Sequence, residues 1–494
     1  MILTFILFLG LFLLVGLASI FSSRNTKHDY YLASNSVAPS LVGLSAVATN
    51  NSGFMFIGVI GYTYVTGLAS IWLMLGWIAG DFLSSTFIHS RLRLATQHTG
   101  EASFAGVLSR WNGGQGRTLQ RVIGGISLLF MLAYASAQLV AGGKALHALL
   151  DWPAWSGAVI GAVLVMAYCF SGGIRASIWT DAAQSVVMML AMGILLFAAV
   201  SNLGGVGTAI TQMNKVPGFM DWFPKELVVP GLVGGLIFAV SWGFAGLSVV
   251  GQPHIMVRFM TLNDSAKMNR ARMWYYLWFT VFYLMATSVG MLSRIYLADP
   301  GSFDAELALP TMAMQLLSPA LVGVILAGIF AATISTADSL ILSCSSALTH
   351  DLLPHRIENT KILKAGTAGI TLAALLWALL NTQSVFSLVI MAWSGLASAF
   401  APLLIVLALG GKPGTRASIS AIFTGLATAT LWRYAGWQNA VYEGMPGILA
   451  GLAVLSPDLF RGMQARVRGY TKANSAGRLI TNEMEISAVN GEKI

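Results

Sequence analysis

Long apolar runs alternate along the chain with short polar interruptions. A bilayer core takes about 20 consecutive apolar residues per helix. On that ruler thirteen segments stand out, near 2–22, 39–64, 68–88, 121–149, 154–172, 180–201, 229–250, 271–298, 318–349, 363–381, 384–409, 416–434 and 440–458. The pattern predicts an all-α polytopic membrane protein of about 13 transmembrane helices. The runs at 121–149 and 318–349 exceed one crossing, which predicts tilt or protrusion. The loops leave no room for a soluble catalytic domain, and no GxxxxGK[ST] phosphate loop occurs, which excludes ATP-driven pumping by this chain alone.

Composition agrees. Of 494 residues, 56% are hydrophobic and only 10% charged, against about 25% charged in a soluble domain. With the N-terminus outside, 23 of the 28 Lys and Arg fall on the inner side, from Arg24 and Lys27 to Arg461 and Lys493 in the tail. That bias predicts an integral protein of the plasma (inner) membrane with a cytoplasmic C-terminus. The net charge of +9 is thereby read as topology and not as nucleic-acid binding. The first run has basic residues only after it, the pattern of a retained first helix and not of a signal peptide. The tail, 461–494, is polar and basic and is expected to be disordered or to lie on the membrane surface. Cys169 and Cys344 lie in apolar runs and form no secreted disulfide framework, and the seven histidines lack metal-ligand spacing.

Two runs look built to break. "AVATNNSGFM" (46–55) places Asn50, Asn51, Ser52 and Gly53 in mid-span, where amides compete for backbone hydrogen bonds and glycine loosens the helix. Five segments on, "VSWGFAGLSVVG" carries Gly243, Gly246 and Gly251. Broken helices survive in lipid only where they line a protein-enclosed cavity, and such a pair marks inverted-repeat secondary transporters. Freed carbonyls coordinate a cation, and half-helix N-termini attract a carboxylate. The competing reading is that the glycines serve close helix packing.

The ninth segment, "AGIFAATISTADSLILSCSSALTHDL", places Ser335, Thr336, Asp338, Ser339, Ser343 and Ser346 on one side of a helix. A mid-bilayer carboxylate costs roughly 2.5–3.5 kcal/mol even on the lenient insertion scale. Asp338 is therefore expected to face hydroxyls, a cation, or both. Hydroxyls, carbonyls and a carboxylate form a hard-oxygen set suited to an alkali-metal ion; back-bonding to the preceding turn accounts for Ser343 and Ser346. Asp181, opening the sixth segment, reads first as a carboxylate at a helix N-terminus. Asp81 reads as structural, paired with Arg91 or Arg93.

The stretches "LSAVATNNSGF", "SIWTDAAQS", "GQPHIMVRFM", "AATISTADSLILSCSSALTHDL" and "AWSGLASAFAP" together resemble the sodium:solute symporter family, most closely its sodium/proline symporter branch. The resemblance implies a LeuT-like five-plus-five inverted repeat. The first helix and inner loop would be 1–38, the repeats 39–201 and 202–410, and two additional C-terminal helices 411–460. It also implies a main sodium site on the carbonyls of Ala48, Asn51 and Ala332 and the hydroxyls of Ser335 and Thr336. A second sodium, present in some members, would fall on Asp181, Ser335, Asp338 and Ser339. The solute would meet Ser52, Gly53, Tyr134 and Trp242. Asn50 departs from the aspartate common in the proline branch, Asp338 replaces a serine of some relatives and is a candidate to compensate, and Asn35 replaces a basic residue. The implied activity is symport of proline or a related amino acid by alternating access, with sodium as the coupling ion. The partners are a small-molecule substrate and the bilayer, with no nucleic acid and no obligatory protein partner. Betaine, pantothenate, a monocarboxylate or a sugar as solute, a membrane sensor and an ion channel are the alternatives. No acid–base or nucleophile constellation suggests an enzyme.

Overall fold

In lipid a backbone satisfies its own N–H and C=O groups along a helix, and Leu-, Val-, Ala- and Phe-rich runs of this length become helices. The computed structural model describes residues 1–464 except 114–115, 298–299, 303, 354–356 and 381–383. Most of the predicted tail lies outside the described residues; 456–464 are helical and are joined to the preceding helix by a turn at Leu455.

Among the described residues, nineteen α-helices precede that last segment. The first half contains α1 (Ile2–Ala18), α2 (Lys27–Leu32), α3 (Pro39–Asn50), α4 (Ile60–Thr66), α5 (Ile71–Thr99), α6 (Phe104–Arg110), α7 (Arg117–Leu150), α8 (Ala154–Gly172) and α9 (Ile174–Asn202). Then come α10 (Val206–Met213), α11 (Leu232–Leu247), α12 (Pro253–Met260), α13 (Met268–Tyr296), α14 (Ala308–Leu316) and α15 (Pro319–Ser346). The chain continues with α16 (Thr360–Leu380), α17 (Val385–Ala408), α18 (Thr415–Tyr434) and α19 (Gly444–Val454). Ten helical stretches among the described residues are long and apolar enough to cross a membrane. The expected thirteen segments differ from these at identifiable places: 39–64 is split, its second part running on helically through 68–88; 416–434 is a less apolar helix; and the described helix within 440–458 is short.

Both expected breaks occur. α3 ends at Asn50, and Asn51 leaves the helix at φ −93°, ψ 68°. A π-helical turn over Met55–Val59 then leads into α4. In the later span a 3₁₀ turn, Ser248–Gly251, follows α11; Gln252 is extended (φ −98°, ψ 100°), and Pro253 opens α12. Proline is suited to that position because its missing N–H has no helical partner there. The preceding glycines divide by role. A Cβ on Gly246 would lie 2.0 Å from the Trp77 carbonyl, and one on Gly80 1.9 Å from the Gly243 carbonyl, so α11 and α5 pack backbone to backbone. Close packing thus explains Gly246, while Gly251 lies at the break itself.

α15 is the buried axis: it packs against α7 and α9 and touches α1, α3 and α8. Its burial brings the polar face predicted around Ser335 against the first break.

Candidate functional site

α3 presents Ser45, Ala48 and Thr49 on one helical face, and α15 answers with Ala332, Ser335, Thr336 and Ser339 at matching i, i+3, i+4 and i+7 spacing. Ser335 Oγ donates to the Ala48 carbonyl at 3.1 Å and to the Ala332 carbonyl at 3.2 Å. Thr336 Oγ1 donates to the Thr49 carbonyl at 2.9 Å. The Asn51 side chain turns back, its Nδ2 donating to the Val47 carbonyl at 2.9 Å. All five residues expected around a main cation are fully or almost fully buried. Hydroxyl protons here occupy the gap between carbonyl oxygens of two separate helices. A small hard cation in that gap would turn the same oxygens into ligands.

Asp181, Asp338 and Ser339 also come together, with a partner sequence reasoning missed. Arg258 of α12, counted above among basic inner-side residues, is fully buried. Its Nη2 donates to Ser177 Oγ and Ser339 Oγ and lies 3.4 Å from Asp181 Oδ2 and 3.7 Å from Asp338 Oδ1. Ser45 Oγ donates to Asp181 Oδ2 at 2.6 Å, and Ser177 Oγ to Asp338 Oδ1 at 2.8 Å. Asp181 therefore lies in the interior facing α3 and α15, and not merely at a helix entrance. The available signal for Arg258 was a lone arginine in "PHIMVRFM", a short amphipathic helix whose partners are remote in sequence.

Of the solute-contact candidates, Ser52, Gly53 and Tyr134 meet. Ser52 Oγ and Tyr134 Oη share a hydrogen bond of 3.2 Å, and the Gly53 N–H donates to Gln138 Oε1 at 2.9 Å. The Tyr134 ring stands edge-on to His254, 5.5 Å between centroids. Trp242 stands elsewhere, in the wall of an open vestibule of about 990 Å³. There it packs at 6.0 Å on Tyr62 and stacks at 6.1 Å on Tyr442. Phe386 stacks on both Tyr62 (5.4 Å) and Phe54 (5.3 Å), so aromatic rings link the vestibule to the residue beside Gly53.

Asp81 is fully buried, but Arg91 and Arg93 reach the carbonyls of Ala408 and Leu262. Its carboxylate instead accepts from Tyr275 Oη (2.6 Å), Tyr276 Oη (2.8 Å) and Asn50 Nδ2 (3.3 Å). The pairing expected with the loop arginines is thus replaced by one with α13 and the break. Asp338, engaged with Ser177, Ser339 and Arg258, does not make the contact with Asn50 that Asp81 makes.

Near the basic loops, Tyr31 Oη bonds Ser345 (3.0 Å) and Thr349 (2.8 Å), and Tyr31, Arg258 and Ser339 line a cavity of about 30 Å³, room for about one water. Ala33, Ser34 and Asn35 all have positive φ, at a cost of roughly 1–2 kcal/mol each for Ala33 and Ser34 and less for asparagine. Arg175 holds this turn through Asp29 Oδ1 (2.6 Å) and the Ala33 carbonyl (2.9 Å), and Asn35 Nδ2 donates to the Met260 carbonyl (2.7 Å). Burial pushes the Asp29 carboxyl upward, but the Arg24 N–H, Arg175 and Ser34 outweigh it and hold the group below its ordinary value.

The fold resembles that of a Na+-coupled sialic acid symporter solved in a substrate-bound outward-open state. The TM-score is 0.75 at 17% identity, covering 92% of this chain and 96% of that one. It also resembles Mhp1, a nucleobase-cation-symport-1 family transporter in a closed conformation, with a TM-score of 0.60 at 13% identity over 88% of this chain and 95% of that one. In sequence it is 29% identical over 446 residues to the high-affinity proline transporter PutP of Bacillus subtilis, covering 87% of this chain and 92% of the relative. It is 27% identical over 470 residues to the sodium/proline symporter of Escherichia coli, covering 91% of each. The sodium:solute symporter family model matches residues 30–416, and the chain belongs to that family.

Proposed function

We propose that this chain couples entry of sodium to uptake of proline, or a closely related amino acid, by alternating access. The observation that carries the reading is the bridge from Ser335 and Thr336 on α15 to the Ala48 and Thr49 carbonyls at the first break. Sodium, as co-substrate, enters from the vestibule side and is held by the carbonyls of Ala48, Asn51 and Ala332 with the two hydroxyls. That ties α3 to α15 and orders Ser52 and Gly53. The solute then places its carboxylate toward the break and its ring toward Tyr134, while Trp242 with Tyr62 and Phe386 closes over it. When the two helices separate, the five oxygens diverge and sodium affinity falls.

The orientation that supports this reading puts the basic loops and C-terminus in the cytoplasm and the vestibule outside, in the plasma (inner) membrane. The thirteen crossings would comprise one leading helix, repeats at 39–201 and 202–410, and two trailing helices. One sodium descending about 100 mV releases roughly 2.3 kcal/mol, and a tenfold concentration ratio adds about 1.4 kcal/mol. Together these sustain a solute gradient of about several hundred-fold without ATP.

The test is uptake of labelled proline into liposomes containing only this chain, with sodium, lithium and proton gradients imposed separately. Unlabelled amino acids, betaine, pantothenate, a monocarboxylate and a sugar serve as competitors. Sodium-driven accumulation competed away by proline supports the proposal; accumulation competed only by another solute reassigns the substrate, and absence of sodium-driven flux overturns it.

A further inference from the structure

We infer that Arg258 is a tethered cation that takes the place of a second sodium, so that each transport cycle uses one sodium ion. The inference rests on the carrier reading above and concerns the cluster beside the main cation site. A second ion held by Asp181, Asp338 and Ser339 would need to sit among their oxygens. The guanidinium already does so: one nitrogen bonds Ser339 and Ser177 and lies 3.4 and 3.7 Å from the two carboxylates. Arg258 is fully buried. An added sodium would share those oxygens with a positive charge at contact distance, in an interior where like charges repel strongly. The residues present do not fit that ion.

Charge balance gives the same answer. The main-site oxygens, three carbonyls and two hydroxyls, are neutral. With both carboxylates ionised, Asp181, Asp338 and Arg258 carry a net charge of −1, and one outer oxygen of each carboxylate, Asp181 Oδ1 and Asp338 Oδ2, has no hydrogen-bond donor among the described residues. Ser339 Oγ also donates to the Ser335 carbonyl at 2.7 Å, joining the cluster to the main site by one turn of α15. One sodium among the neutral oxygens cancels the −1, whereas two would leave a surplus positive charge in the buried interior. Arg258 thus sets the ion count, and Asp338 supplies the charge that the main-site sodium answers.

The test counts radiolabelled sodium bound at saturation to the purified chain, beside sodium-dependent solute uptake. Wild type is expected to bind one sodium per chain, with uptake rising hyperbolically in sodium. Arg258→Gln, which bares both carboxylates, is expected to bind two; adding Asp338→Asn to it returns the count to one. Arg258→Lys keeps the cation and the count of one. Asp338→Asn alone is expected to raise the sodium concentration for half-saturation about tenfold. Two sodium ions on the wild-type chain would overturn the inference while leaving the carrier reading intact, whatever the variants do. A folded Arg258→Gln chain that still binds one with wild-type affinity would overturn it too. Solute uptake with no bound sodium would overturn the carrier reading along with it.

Discussion

The two interrupted spans share a shape and differ in what closes them. At the first break, carbonyls of α3 are met by hydroxyls from another helix, Ser335 and Thr336 of α15. At the second, the chain stitches itself: Gln252 Nε2 donates to the Ser248 carbonyl at 3.2 Å and across to the Trp393 carbonyl at 2.9 Å, and Trp393 Nε1 donates back to the Ala245 carbonyl at 3.0 Å. Both carbonyls are therefore already held by one amide N–H group. A hydroxyl can turn its proton away and present a lone pair. The difference teaches that a helix break alone is not a cation site; the neighbour's chemistry decides whether its carbonyls are held or available.

The largest expected contrast lies there. Ser335→Ala or Thr336→Ala should each raise the sodium concentration for half-maximal uptake by about tenfold or more with solute preference preserved. Gln252→Ala should instead lower stability by about 1–3 kcal/mol, the cost of buried acceptors left without a donor, and shift the sodium requirement little. Sodium titrations and thermal unfolding in detergent separate the two; equal sodium shifts would erase the distinction between the breaks.

Next come the glycines beside each break. A Cβ on Gly53 would meet Thr333 Cγ2 at 2.5 Å and Gln138 Oε1 at 3.1 Å, both side-chain atoms. Gly53→Ala is expected to keep the fold and reduce solute uptake about tenfold. A Cβ on Gly251 would meet the Ala397 Cα at 2.6 Å, which is backbone. Gly251→Ala should therefore lower stability, by about 1–3 kcal/mol, and act less on solute affinity.

The charge beside the first break offers a sharper exchange. Asn50→Asp puts a second carboxylate where Nδ2 now donates to Asp81 at 3.3 Å, and uptake should fall several-fold. Asn50→Asp with Asp81→Asn restores one carboxylate and one amide. Recovery of uptake in the double variant supports the pairing; additive losses argue against it.

The smallest effect concerns the turn that Asp29 and Arg175 hold beside the basic loops. The Asp29 carboxyl is held below its ordinary value by the Arg24 N–H, Arg175 and Ser34 despite burial. Its contribution is complete above the unfolded value near 3.9 and is lost as pH falls through the lower folded value. The difference in unfolding temperature between wild type and Asp29→Asn should be constant near neutrality and shrink in acid. A difference that grew on acidification would contradict the latch formed with Arg175.

Much was legible because lipid is an unforgiving solvent for backbone. Apolar runs of membrane length predicted the helices, and Asn50–Gly53 predicted the first interruption, since local propensity suffices for both. The polar face at Ser335, Thr336, Asp338 and Ser339 follows from helical period alone. The sequence by itself thus determined an all-helical membrane architecture, the first break and the oxygen-rich face of α15. Only the tertiary structure decided which charge answers which: Arg258 lies between Asp181 and Asp338, and Asp81 belongs to Tyr275, Tyr276 and Asn50. Helical periodicity constrains residues a few positions apart, whereas these partners are 31 to 195 positions distant. Their meeting depends on how helices cross, which hydrophobic patterning leaves open and packing resolves.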